Sequence, residues 1–164
     1  MVFRVRHLGM AWFVARFTNF TTDLGFDAAA PEKSSLSVTV DPSSYRSGVM
    51  PKPQLNFDNL VISDPKLFNT PKFPRITYVA TKIDRTGPAT AKVTGDLTML
   101  GVTKSVVLDA VFNGSLKAHP FSKRPVLGFS ATGILKRSDF GMSYLIPQVG
   151  DEVEISVEAE LVTK

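Results

Sequence analysis

Two histidines, a serine-bearing glycine string and a run of carboxylates are the groups from which this 164-residue chain would have to build covalent or acid–base chemistry. A nucleophilic serine works best on a strand-to-helix elbow of the form G-x-S-x-G. The nearest string, Gly128-Phe129-Ser130-Ala131-Thr132-Gly133, misses that spacing and lies inside an extended run. A triad also needs a histidine base. His7 ends an apolar strand face and reads as a hydrogen-bonded cavity histidine, and His119 sits in a Pro-flanked loop and reads as surface. With no cysteine there is no thiolate nucleophile, no disulfide and no cysteine metal site. No HxH or HExxH string and no phosphate loop occurs. Glu152, Glu154, Glu158 and Glu160 recur at even spacing, the pattern of a solvated strand face rather than of a convergent pair. The expectation is a protein with no catalytic residue, no metal and no cofactor.

The elements that carry these residues are strands. From Glu152 to Leu161 the chain alternates strictly, with Val153, Ile155, Val157, Ala159 and Leu161 on the opposite parity to the acids. Successive side chains of a strand point to opposite faces, so this is a strand with one apolar and one charged side. Such a strand belongs in an antiparallel sheet with one wet face. Further strands are predicted over residues 2–7, 12–17, 22–27, 34–41, 75–83, 91–100, 105–113 and 126–135, with Leu8-Gly9 as a break and Gly101-Val102-Thr103-Lys104 as a turn. Six of the eleven prolines fall between Pro42 and Pro74, where the alternation stops. The helices are expected there: Gln54 to Ile62 can form about two turns, and Asp64-Pro65 reads as an N-cap followed by proline at the first helical position. Eight or nine short strands with turns between them predict one all-β domain over residues 1–164, a sandwich or a barrel.

Composition narrows the partners. The net charge is +4, but five of the fifteen acids lie between residues 151 and 160, which leaves a basic body. Its bases are scattered, so the concentrated footprint of a nucleic-acid binder is missing. No run approaches the roughly 20 apolar residues of a membrane span. Arg4 and Arg6 alternate with Phe3, Val5 and His7, a strand pattern rather than a secretion leader. The compartment is expected to be periplasmic or extracellular if a leader has been removed, and cytoplasmic otherwise.

What remains is apolar capacity. Twelve phenylalanines carry much apolar area with no polar handle, and they must fill either a core or a cavity. The residues assigned inward are Phe3, Val5, His7, Trp12, Phe17, Phe20, Leu24, Phe26, Val38, Leu60, Phe68, Ile76, Tyr78, Leu97, Met99, Leu108, Phe112, Phe129, Ala131 and Ile155, with Phe13 and Val14 as alternatives beside Trp12. On residues 126–135, Phe129, Ala131 and Gly133 alternate large with small, as a tapered interior requires. An eight-stranded barrel is just wide enough to be packed solid or to hold one slender ligand, so a filled core and an open tunnel both fit. An enzyme would need a polar cluster inside, for which only His7, Arg16 and Tyr78 are candidates.

Several strings taken together carry a resemblance: Val5-Arg6-His7-Leu8-Gly9, Arg16-Phe17 with Asp27, and Leu67-Phe68-Asn69. Phe73-Pro74-Arg75-Ile76-Thr77-Tyr78, Gly95-Asp96-Leu97-Thr98 with Gly101-Val102-Thr103-Lys104, Leu108-Asp109, Phe112-Asn113-Gly114, Gly128-Phe129-Ser130-Ala131 and Arg137-Ser138-Asp139-Phe140-Gly141-Met142 extend it. In this order they resemble the YceI-like family. The resemblance implies an extended eight-stranded antiparallel lipocalin-like barrel with one or two short helices. Its tunnel would take a long isoprenoid lipid, polyprenyl or isoprenoid quinone, with the protein acting as a homodimer that binds, stores or transports it. Two departures stand out. The family's usual residues ahead of the first strand are missing before Met1, and Leu100 and Ser105 replace a polar residue and a proline, suggesting an apolar rim spot at an interface.

Overall fold

The computed structural model describes residues 1–50 and 55–162. Ten strands form one antiparallel sheet: β1 (Val2–His7), β2 (Ala11–Phe17), β3 (Phe20–Gly25), β4 (Ser35–Val40), β5 (Tyr45–Arg46), β6 (Ile76–Arg85), β7 (Thr90–Met99), β8 (Val102–Leu116), β9 (Val126–Lys136) and β10 (Val149–Val162). Their order across the sheet is β3-β4-β6-β7-β8-β9-β10-β1-β2-β5, and the sheet curls into a half-barrel. The strand beyond those expected is β5, which at two residues is too short to show any alternation. Its partner is the end of β2, with Phe17 opposite Tyr45.

The curl is stitched where the β2–β3 and β4–β5 connections meet. Ser44 accepts from Thr18 N at its carbonyl (3.2 Å) and from Asn19 N at its hydroxyl (3.0 Å), and Asp41 N donates to the Asn19 carbonyl at 3.0 Å. Buried Ser44 thereby satisfies groups from both sides of the gap. Bulges between Val5 and His7, Ala80 and Lys82, and Phe112 and Gly114 add the local twist that bending a sheet requires.

Two connections are tighter than the sequence suggests. Leu100 and Gly101 both have positive φ (54° and 78°), and Val102 already pairs with Met99. The turn is therefore the two-residue hairpin type whose twist matches its strands, and Val102–Lys104 belong to β8. Leu100 packs against the buried core, so the apolar spot expected at the rim is an inward contact. The β1–β2 turn also uses two positive-φ residues, Leu8 and Gly9, but closes over three residues, with His7 pairing with Ala11.

One α-helix occurs among the described residues, α1 (Phe57–Ser63). Asn56 caps it, its side chain accepting from Asn59 N at 3.1 Å; Gln54 lies outside the described residues. Asp64 ends this helix instead of starting another. Its N–H donates to the Leu60 carbonyl, and its carboxylate turns forward to accept from Lys66 N at 2.7 Å. Helix α1 and the turns after it cover one end of the half-barrel, where Phe68 stacks with Phe3, Phe17 and Tyr45 at centroid distances of 5.4 to 6.5 Å. Val61, Ile76, Met99, Phe140 and Met142 complete this densely packed end.

Arg137 organises the segment ahead of β10. It is buried, and its guanidinium donates to four backbone carbonyls: Gly150 (2.8 Å), Met142 (2.9 Å), Tyr144 (2.8 Å) and Val149 (2.8 Å). Ser138 donates from its N–H and its hydroxyl to the two carboxylate oxygens of Asp151. Burial pulls the Asp151 carboxyl upward, but the Ser138 hydrogen bonds and the Arg137 and Lys136 charges outweigh it and hold the carboxyl below its ordinary value. The string from Arg137 to Met142 is thus a device for folding the segment that returns the chain to β10.

Candidate functional site

The inner faces of the strands do not meet. Between them runs a cavity of about 850 Å³, lined from every strand of the sheet as well as α1 and the segment before β10. Nineteen of the twenty residues assigned inward from the sequence border it, from Phe3, Val5 and His7 on β1 to Ile155 on β10. The half-buried state of Phe3, Phe20, Leu24, Phe26, Phe112, Phe129 and Ile155 reflects this arrangement. They point inward and still present surface to open space.

Trp12 is the exception. On β2 the inward parity is Phe13, Ala15 and Phe17, so Trp12 lies on the outer face. It is held there between two guanidinium groups, Arg4 at 4.4 Å and Arg6 at 4.0 Å from the ring centre. Val14 shares that outer parity and is exposed, as is Arg16, which pairs across the sheet with Arg46 and is no interior cation. The sequence misses Phe13 as the primary choice because two aromatics at adjacent positions leave parity to be fixed by neighbours. In β1–β2 pairing, Val5 stands opposite Phe13. His7 borders the cavity but is exposed at the end of β1, a rim group rather than an enclosed histidine.

Exposed lining residues fall into two sets. His7, Val49, Leu60, Tyr144 and Leu145 surround the cavity where β6 begins and β1 and β9 end. Ala28, Arg85, Pro88, Ala89 and Thr90 surround it at the β6–β7 connection. The ten residues of β6 span the distance between these sets, about 30 Å at strand rise. The cavity is therefore a tunnel along the strands. Phe26, Phe112 and Phe129, with centroids 5.3 to 5.5 Å apart, gird it toward the second mouth. Next to them Ala110 pairs with Ala131, which pairs with Val157, a belt of small side chains that keeps the bore open. Gly133 does not extend that belt. A Cβ there would lie 2.5 Å from Leu108 Cδ2, so Leu108 already occupies the space.

Two polar groups deep in the tunnel, Tyr78 and Arg137, are already engaged. The Tyr78 hydroxyl donates to the Val93 carbonyl at 2.8 Å, with the Val106 carbonyl at 3.4 Å. Burial and then the Asp96 charge push its pKa up to about 12, so it stays a neutral phenol. Tyr45 is raised further, by burial and by Asp58. Arg137 reaches the lining with four of its five N–H donors committed to carbonyls. Of the remaining polar lining, Ser34, Arg85, Thr90 and Ser130 lie toward the second mouth, His7 and Tyr144 at the first, and Thr22 stands between them on β3, opposite Val38. Among the described residues no three His, Asp or Glu side chains gather to hold a metal ion, and no helix is long and apolar enough to cross a membrane.

Comparison with known proteins gives the same picture. Residues 1–161 match the model of the YceI-like domain. A UPF0312 protein of Ectopseudomonas mendocina is 34% identical over 158 residues, covering 96% of this chain and 78% of its own. A UPF0312 protein of Pseudomonas putida is 35% identical over 139 residues, covering 85% and 68%. Among solved structures, the YCEI protein of Campylobacter jejuni superposes with a TM-score of 0.81 at 28% identity, covering 97% of this chain and 90% of its own. BcnA of Burkholderia cenocepacia shares the fold at a TM-score of 0.82 and 22% identity, over 98% and 95% of the two chains. A half-barrel of antiparallel strands around an apolar tunnel, matched by the family's model from its first residue to near its last, belongs to the YceI-like family.

Proposed function

We propose that the protein binds one long isoprenoid lipid, of polyprenyl or isoprenoid-quinone type, lengthwise in the tunnel and carries or stores it without transforming it. The observation that carries this reading is a continuous apolar bore of about 850 Å³ in which the Tyr78 hydroxyl and the Arg137 guanidinium are already hydrogen-bonded to backbone carbonyls. Such a bore offers a ligand burial and little else. Each CH₂ equivalent removed from water contributes ~0.8 kcal/mol, so about four prenyl units, some twenty carbons, gain on the order of 16 kcal/mol. Association costs roughly 4–15 kcal/mol, which makes short apolar molecules weak ligands and long chains firm ones. Non-enzymatic action fits the same observation, because the Tyr78 proton is given to the Val93 carbonyl and Arg137 spends four of its five N–H groups on backbone carbonyls. The homodimer implied by the family resemblance belongs to this reading and is checked by sedimentation.

Organic extraction of the purified protein followed by mass spectrometry tests the proposal. The expected result is about one lipid per chain with masses spaced by isoprene units. A straight acyl chain in its place would overturn the isoprenoid assignment. An empty protein that also fails to take up polyprenol from detergent would overturn the tunnel reading itself.

A further inference from the structure

We propose that the β8–β9 loop, residues 117–125, is a docking element for the surface of an anionic lipid bilayer. The loop carries Lys117, Lys123 and Arg124 and no acid, and at its tip Phe121 is 89% exposed. A phenylalanine has no polar group to reward exposure, and the loop holds this one outward by construction. His119 N–H donates to the Arg124 carbonyl at 2.8 Å, and Lys123 N–H donates back to the His119 carbonyl at 2.9 Å. The His119 ring accepts from Phe121 N and Ser122 N at Nδ1 (3.4 and 3.3 Å), and its Nε2 lies 3.9 Å from Glu160 on β10. The bend closes on Lys123 at a φ of 58°. Its ordering is therefore complete before any partner arrives.

The chemistry of the loop selects its occupant. One protruding aromatic ring flanked by cations matches an interface where apolar tissue lies just beneath negative headgroups. A protein partner would need about 800 Å² of surface on each side, and nine residues with one large apolar side chain supply only a fraction of that. The loop also stands at the end of the barrel that holds the tunnel's second mouth, beyond Phe112 and Phe129. The docking element stands independently of what the tunnel binds, since it is a property of the outer surface.

The test is co-sedimentation of the full chain with vesicles of phosphatidylcholine alone or mixed with phosphatidylglycerol, before and after lipid extraction of the protein. Binding is expected to the mixed vesicles, to weaken at high salt, and to be slight on phosphatidylcholine alone. Phe121→Ser should lower partitioning about 10- to 100-fold. Lys117→Gln and Lys123→Gln should each lower it about five-fold. Because Trp12 is the chain's one tryptophan, Trp12→Phe with Phe121→Trp places a single fluorophore at the tip. Its emission should shift to the blue on the mixed vesicles only. Wild-type protein that ignores the mixed vesicles, or a Phe121→Ser variant that binds them unchanged, overturns the proposal. So does a Phe121→Ser variant that instead dissolves a dimer of the free protein, which would make the loop an interface between copies. An empty tunnel with vesicle binding intact would sink the carrier reading and leave this one standing.

Discussion

Replacing Ala131 with Trp puts the tunnel to its sharpest test. Ala131 faces the bore from β9, flanked by Ala110 on β8 and Val157 on β10, so an indole there enters the space that these small side chains leave open. If the space is a working tunnel, the ring has somewhere to go. The fold should then tolerate it, with a melting-temperature change within about 4 °C, which for a chain of this size corresponds to roughly 1 kcal/mol. The ligand should suffer instead. Blocking one prenyl unit's worth of length, five carbons at ~0.8 kcal/mol each, removes about 4 kcal/mol, near a thousand-fold in affinity. Were the belt closed in solution as a packed core, the same ring would cost ~1–3 kcal/mol or more in stability and leave no ligand effect to measure. The assay is paired: thermal melts of lipid-extracted protein, and retention of added polyprenol by native mass spectrometry. A variant that melts far below the parent while the parent retains no lipid refutes the tunnel. A variant that melts normally and holds polyprenol as well as the parent refutes the placement of the chain past Ala131.

Two other consequences concern the scaffold. Arg137→Lys keeps the charge but replaces a planar fork with one ammonium, leaving buried carbonyls of the segment 142–150 unpaired; a loss of ~2–4 kcal/mol in urea titration is expected, and an unchanged midpoint would show that the fork is not what holds the segment. Tyr78 has a folded pKa raised to about 12 above an unfolded value near 10, so its contribution is fully present below pH 10 and is lost as pH rises toward 12. Tyr78→Phe should therefore flatten part of the alkaline limb of the stability–pH curve, and an identical limb in the variant would remove Tyr78 as its source.

How much of this could be read from residues alone follows from periodicity. β10 declares itself because its acids and aliphatics never break step over residues 152–161. The interior list survives nearly whole for the same reason, since each strand's parity carries its residues in or out together. Failures cluster where parity is silent. Trp12 and Phe13 are both aromatic, and only the pairing of Val5 with Phe13 decides between them. Tyr45–Arg46 is too short to alternate. Asp64-Pro65 has the chemistry of a helix start, yet the same carboxylate geometry also serves a turn that follows a helix, and the Asn56 cap upstream had already set the register.

Whether the inward residues fill or merely line is the one property periodicity cannot carry. A strand presents the same alternation over a packed core as over a tunnel. The difference lies in girth around the barrel, which depends on which side chains share a level across several strands. At one end Phe3, Phe17, Tyr45 and Phe68 pack ring against ring and take up much of the girth. At Ala110, Ala131 and Val157 three small side chains share a level and leave it open. Those coincidences are set by register between residues fourteen or more apart in sequence. The bore is therefore written in the pairing of strands and not in any one of them, so a two-residue slip between β8 and β9, which keeps every side chain on its face, would alter its width without altering a single inward residue.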